Sequence, residues 1–128
     1  MNRFRYLRDS LFVVAAGSYA LNRCLLQSLS SSRFLHGHFD DLLLIPAALP
    51  VVLWLQRKLG LRADDRMPCW SEMWLHLGVW SLVCELIGPL WLHHGTADPL
   101  DVMAYAAGGV TACLWWNYPA RATSARPR

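Results

Sequence analysis

Histidine and carboxylate side chains are concentrated in two short stretches of this 128-residue chain. The first stretch runs from His36 to Asp41, and the second runs from Glu85 to Asp101. Such side chains bind zinc and other divalent cations, and they also exchange protons with substrates as general acids or bases. Proton or ion passage along a chain of acids and histidines is a third chemistry that uses the same residue types in membranes.

Two of these chemistries lead to named candidate residues. Glu85 beside Arg23 is the predicted general acid or base. A divalent metal is the cofactor that the histidines indicate, because the first stretch has the spacing HxHxDD. The sequence contains no nucleophile motif, phosphate-binding glycine loop or HExxH motif. The predicted metal ligands are His36, His38, His93, His94 and Asp98.

Four apolar runs must position these side chains. Hydrophobic residues make up 55% of the chain and charged residues only 16%, whereas soluble domains have about 25% charged residues. A transmembrane helix needs about 20 mostly apolar residues, and the runs cover residues 10–29, 39–55, 71–92 and 98–116. We therefore predict an all-α fold, a four-helix transmembrane bundle over residues 1–118 with a basic tail at 119–128. A soluble helical bundle with a buried core is the alternative.

Basic residues alternate between the two ends of this predicted bundle. Ten of the twelve precede the first run, fill the segment between the second and third runs, or lie in the tail. This is the positive-inside pattern, so we predict a multi-pass membrane protein with both termini cytoplasmic. The basic groups are expected to contact anionic lipid headgroups. No basic surface is interleaved with aromatic residues, so we predict no nucleic-acid partner.

The N-terminal run also has features of a cleavable signal peptide. It has a basic start, an apolar core and the sequence Ser18-Tyr19-Ala20, which resembles a cleavage site. Apolar residues continue past Ala20 as far as Leu29. We therefore expect the first run to be retained as a membrane span.

Two charged residues, Arg23 and Glu85, lie deep within the apolar runs, more than one helical turn from either end. Arg23 shares a helix face with Tyr19 and Gln27, because all three are four residues apart. It either reaches the outer headgroups or pairs with a carboxylate inside the bundle. Glu85 shares its face with the small residue Gly88, which indicates that it points into the bundle. A structural ion pair between Arg23 and Glu85 would account for both charges.

The start of the fourth run has a strong helix-initiation signal. Asp98 at the N-cap and Pro99 at the first helical position predict that a helix begins there. Asp101 then lies in the first turn, where a carboxylate interacts favourably with the helix dipole. This local role explains both aspartates without a function. Asp101 shares a face with Tyr105 and Gly108, which places it on the predicted close-packing side.

The remaining signals concern packing. Pro46 and Pro50 predict a kinked second helix whose freed carbonyls are packed or line a cavity.

The four cysteines lack CxxC spacing and are predicted to be small buried residues. An aromatic belt is predicted at the inner interface from Trp54, Trp70, Trp74, Trp115 and Trp116, with Trp91 at the outer interface and Trp80 in mid-span.

Three short motifs form a recognisable set. Glu85-Leu86-Ile87 is followed by Asp98-Pro99-Leu100-Asp101 and then by Gly108, and His38-Phe39 stands at the start of the second apolar run. These motifs resemble the Glu-Leu-Leu segment, the Asp-x-x-Asp motif and the His-Phe of the VanZ-like family of small bacterial membrane proteins. The resemblance implies a role at the cell envelope, in the bacterial inner membrane.

We therefore expect an envelope protein with a polar site near the extracytoplasmic face that binds or modifies a lipid-linked or envelope substrate. Glu85 and Asp101 would be the central acids, with Arg23 as charge partner and His38 as an auxiliary acid–base group. Two alternatives remain. One is a small ion- or metal-handling transport module, and the other is a structural subunit of a larger assembly, in which the acids only cap and pair.

Overall fold

The computed structural model describes residues 3–91 and 99–124, and within them it contains helices and connecting segments but no strand. The side chains of Cys84, Glu85, Pro89 and residues 119–124 lie outside this description. The predicted all-α class and the number of four long helices are confirmed. Helices α2 and α4 are Arg33–Lys58 and Pro99–Ser124. Helix α1 consists of Ser10–Leu21, a π-helical segment Asn22–Leu26, and Gln27–Leu29. Helix α3 consists of Trp70–Ser81, a π-helical segment Leu82–Ile87, and Gly88–Trp91.

Two helices extend beyond their predicted limits. The segment before Phe39 was expected to be a loop, but Arg33–Gly37 is helical and continues into α2. Phe34 packs edge-on against Phe39 with ring centroids 6.0 Å apart, which ties this turn to the longer helix. Helix α4 continues past Trp116 to Ser124, where alanines and an arginine with high helix propensity follow Pro119.

One helix of the described chain, Arg33–Lys58, is long and apolar enough to cross a membrane, with a mean hydropathy of 1.5. Helix α1 is as long as a span but carries Asn22, Arg23 and Gln27 in its second half. Helix α3 is interrupted by a π-helical segment. The crossing of a membrane by all four helices therefore stays a prediction.

Helix α2 occupies the centre of the bundle. It packs against α1 and, most extensively, against α4, while α3 packs mainly against α4. Ile45, Leu49 and Leu53 have no exposed surface, and their four-residue spacing places them on one face of α2. Pro46 and Pro50 lie inside this helix and are buried beside that face. Of the two predicted arrangements, packing against the bundle or lining a cavity, the structure therefore shows packing of the two prolines.

Helices α2 and α4 approach until their backbones touch. A Cβ atom built at Gly108 would lie 2.0 Å from the carbonyl oxygen of Leu42. Pro46 is four residues after Leu42 and has no N–H to donate to that carbonyl, so the oxygen is free of its usual intrahelical bond. The predicted close-packing face is confirmed, since Tyr105 on the same side of α4 is only 4% exposed.

The N-terminal segment and the segment between α2 and α3 are bound together at one end of the bundle. The Phe4 N–H donates to the Asp65 carbonyl at 2.7 Å, and the Tyr6 hydroxyl donates to the Asp65 carboxylate at 2.9 Å. The Tyr6 hydroxyl, followed by the Arg57 and Arg3 guanidinium groups, holds the pKa of Asp65 below its ordinary value. We call this end, with residues 3–9 and 59–69, the basic end.

Trp116 departs from the predicted aromatic belt. It lies in the core with 1% of its surface exposed, whereas Trp115 is 53% exposed. Its indole Nε1–H donates to the Asp9 carboxylate at 2.9 Å. Sequence position alone places Trp116 near the interface, but the helical rotation of about 100° from Trp115 turns its ring inward.

The cysteines are free where the structure describes them, but only Cys113 matches the prediction of burial. Cys24 and Cys69 are exposed, because Cys24 lies on the outer surface of α1 and Cys69 lies at the start of α3. Hydrogen bonds from the Ser71 hydroxyl and the Glu72 backbone N–H lower the pKa of Cys69. Cys84 lies outside the described side chains.

Candidate functional site

The ends of α2 and α4 opposite the basic end are joined by a histidine–aspartate hydrogen bond. His38 precedes the α-helix Phe39–Lys58, and Asp101 lies in the first turn of α4. The His38 Nδ1 atom is 2.7 Å from Asp101 Oδ1. When Nδ1 carries the proton and donates to the carboxylate, Nε2 is left as a proton acceptor. The two side chains are 31% and 22% exposed, so the pair is open to solvent.

Asp41 completes a three-residue cluster with this pair. His38, Asp41 and Asp101 each offer one ligand atom, and these atoms all lie within 4.8 Å of one another. Nitrogen and carboxylate oxygen atoms so placed are able to share a divalent cation. Asp41 was not among the predicted metal ligands, although it ends the HxHxDD spacing. Its three-residue spacing from His38 could have indicated that both side chains lie on one face of α2.

Asp40 lies at the centre of a second polar group, between α1 and α2. The Asn22 amide donates to Asp40 Oδ1 at 2.8 Å and to the Leu35 carbonyl at 2.9 Å. The Gln27 amide donates to Asp40 Oδ2 at 3.4 Å. Arg23 Nη1 lies 3.7 Å from the same oxygen. These contacts fasten α1 to the N-terminal part of α2.

Asn22 is the buried member of this second group. None of its surface is exposed, and its Oδ1 atom has no hydrogen-bond partner. The two acceptors around its Nδ2 atom fix the orientation of the amide, so Oδ1 cannot exchange places with Nδ2. An unpaired buried acceptor is costly unless a water molecule or a ligand donates to it. Asn22 also begins a π-helical segment, a feature frequent at functional sites.

No family model, curated protein or solved structure matches the chain. The resemblance to the VanZ-like family therefore rests on the quoted residues alone. The structure places two of those motifs, His38-Phe39 and the segment ending at Asp101, in direct contact.

The structure places the predicted site residues in different environments. His38 and Asp101 meet, but Arg23 pairs with Asp40 and is 56% exposed. His36 is separate from the three-residue cluster, since its Nδ1 lies 2.8 Å from the Ser32 carbonyl oxygen. The backbone of Glu85 belongs to the second π-helical segment. The Glu85 side chain, His93, His94 and Asp98 lie outside the described residues, so the predicted Arg23–Glu85 pair stays a prediction.

Proposed function

We propose that the protein is a four-span membrane protein of the bacterial cell envelope with both termini in the cytoplasm. The outer surface of the bundle supports this placement, because large apolar side chains are exposed on every long helix. Examples are Val14 at 64%, Leu75 at 66% and Met103 at 66% exposure. Exposed apolar surface of this extent is typical of contact with lipid or with another protein. The basic end would face the cytoplasm.

The proposed site is the polar end opposite the basic end, and it would face the extracytoplasmic side. There the His38–Asp101 pair would bind or modify a lipid-linked or envelope substrate. Asp101 would orient the imidazole, and His38 Nε2 would exchange a proton with the substrate. Glu85 is proposed as the second acid. The observation that carries the proposal is the 2.7 Å hydrogen bond between partly exposed side chains of two different helices.

The proposed orientation predicts which cysteines react with a membrane-impermeant maleimide. Ser31→Cys, at an exposed position between α1 and α2, should be labelled in intact cells. Native Cys69, at the basic end, should be labelled only after permeabilisation. Its lowered pKa increases the thiolate fraction and makes it a sensitive reporter. Cys69→Ser identifies that signal. Labelling of Cys69 in intact cells would contradict the orientation.

The function is tested by expressing the chain in a glycopeptide-susceptible bacterium, because the name of the VanZ-like family comes from a link to glycopeptide resistance. The wild-type chain should raise the inhibitory concentration of the antibiotic. His38→Gln and Asp101→Asn should return it to the value of the host. His36→Gln is the matched control, because that histidine is exposed and lies outside the cluster.

Two results would overturn this proposal. Absence of any effect from the wild-type chain, when the protein is present in the membrane, would reject the envelope role. An unchanged effect of His38→Gln and Asp101→Asn would reject the site and favour a structural subunit whose acids only cap and pair.

The second candidate function is the handling of a divalent cation, which Asp41 favours as a third ligand. Purified protein with zinc or manganese at about 100 times the dissociation constant would be stabilised by about 2.7 kcal/mol. Loss of that stabilisation in His38→Gln and Asp41→Asn, but not in His36→Gln, would support this candidate. Equal stabilisation of all variants would reject it.

A further inference from the structure

A largely apolar groove of about 790 Å³ opens at the basic end, far from the His38–Asp101 pair. Its walls come from one side of α4 and from the segment between α2 and α3, and they include Met67, Leu114, Trp115 and Tyr118. Leu114 is 51% and Tyr118 72% exposed. The carboxylate of Asp9 also lines the groove, but it already accepts hydrogen bonds from Trp116 and from the start of α1. The groove therefore suits an apolar occupant.

A second cavity of about 520 Å³ adjoins the groove, since both are lined by Asp9 and Met67. Its other lining residues are Ser10 and three arginines, Arg3, Arg5 and Arg8. All three arginines are exposed. Arg3 has a carboxylate partner in Asp65, with Nε 3.8 Å from Oδ2. Three arginines against the single carboxylate of Asp9 give the lining of the cavity a net positive charge, which suits an anion.

We infer that the groove and the arginine-lined cavity form one binding site for an anionic phospholipid. An acyl chain occupies the groove along α4, and the phosphate lies among Arg3, Arg5 and Arg8. Arginine guanidinium groups match phosphate oxygens in bidentate geometry, and basic pockets at the cytoplasmic side of membrane helices bind anionic headgroups. A zwitterionic lipid carries no net charge to match the arginines, and free phosphate leaves the groove empty.

This inference rests on the proposed membrane placement and concerns the opposite end of the bundle from the proposed active site. It assigns the N-terminal arginines a role beyond orienting the chain in the membrane. The groove volume falls within the roughly 300–1,000 Å³ of pockets that hold small ligands. The occupant is therefore a single lipid in a defined place, in addition to the surrounding bilayer.

Tryptophan fluorescence tests the inference directly, because Trp115 and Trp116 line the groove. The full chain is placed in phosphatidylcholine nanodiscs with a small fraction of phosphatidylglycerol brominated on its acyl chains. We expect quenching that saturates at a low fraction of this lipid. The same fraction of brominated phosphatidylcholine should quench weakly and in proportion to its amount. Trp115→Phe should remove part of the saturating component.

Charge variants separate the contribution of the lipid headgroup from that of the acyl chain. The triple variant Arg3→Gln, Arg5→Gln, Arg8→Gln should lose the preference for phosphatidylglycerol over phosphatidylcholine. The affinity for phosphatidylglycerol should fall by about five-fold for each arginine near the surface. Arg33→Gln is the matched control, because Arg33 is exposed at the other end of the bundle. Thr111→Phe should narrow the groove and weaken the saturating quenching.

Three outcomes would overturn the inference. They are equal quenching by the two brominated lipids, an unchanged preference in the triple variant, and displacement of the lipid by millimolar inorganic phosphate, which would indicate a site for free phosphate. The maleimide experiment reports the orientation of the chain independently. A wild-type chain that has the proposed orientation but shows no lipid preference would therefore reject the lipid site alone.

Discussion

Gly108→Ala is expected to destabilise the bundle by about 1–3 kcal/mol, the usual cost of adding a methyl group to a packed interior. The new Cβ would lie 2.0 Å from the Leu42 carbonyl oxygen, which is backbone and has no rotamer with which to move aside. Helices α2 and α4 would have to separate. Because α2 is central and packs most extensively on α4, the separation would disturb the core around Ile45 and Tyr105.

Thermal unfolding of the purified protein measures this effect. Gly109→Ala is a close control, because its Cβ would meet only the Ile45 side chain at 4.0 Å, an ordinary contact distance. Both variants gain the same helix propensity from alanine. We therefore expect a lower melting temperature for Gly108→Ala and little change or a small increase for Gly109→Ala. Equal melting temperatures would contradict the close approach of the two helices.

Asp9→Ala is expected to cost about 2–4 kcal/mol, because one carboxylate oxygen serves three donors. Asp9 Oδ1 accepts from the Leu11 and Phe12 backbone N–H groups at 3.1 and 3.2 Å, which caps α1. It also accepts from the buried Trp116 indole. Loss of an N-cap costs about 1 kcal/mol, and an unpaired buried donor costs a further 1–3 kcal/mol.

Two companion variants separate these contributions. Asp9→Asn keeps an oxygen that caps α1 and accepts from Trp116, so its melting temperature should lie near that of the wild type. Trp116→Phe removes the indole donor but leaves the cap. Its loss of stability should therefore arise mainly from the smaller ring. If Asp9→Asn is as unstable as Asp9→Ala, the charge of Asp9 matters more than its hydrogen bonds, contrary to this prediction.

The apolar runs were sufficient to predict the number of long helices and the close-packing face of α4. The runs at 10–29 and 71–92 agree with helices α1 and α3 to within one residue at each end. Gly108 was placed on the correct face by its spacing from Asp101 and Tyr105. The turn Arg33–Gly37 was missed because five residues are too few to display a helical apolar repeat.

The site was predictable in its location but only partly in its partners. The sequence does not distinguish between two adjacent aspartates. In a helix, however, their side chains point about 100° apart and contact different residues. Asp40 faces α1 and accepts from Asn22, whereas Asp41 belongs to the cluster with Asp101 of α4. Arg23 was expected either to reach the headgroups or to pair with a carboxylate, with Glu85 as the named partner. Its contact with Asp40 depends on how α1 and α2 cross. Sequence spacing within one helix does not contain that information.

The contact between Asp9 and Trp116 has a consequence for the order in which the protein assembles. The two residues are 107 positions apart, so they come from opposite ends of the chain. During synthesis the first helix is therefore made long before its indole partner exists. Tyr6 likewise waits for Asp65, 59 positions later. The contacts of the N-terminal segment therefore form in two steps at the earliest: those with Asp65 require the segment between α2 and α3, and that between Asp9 and Trp116 requires α4.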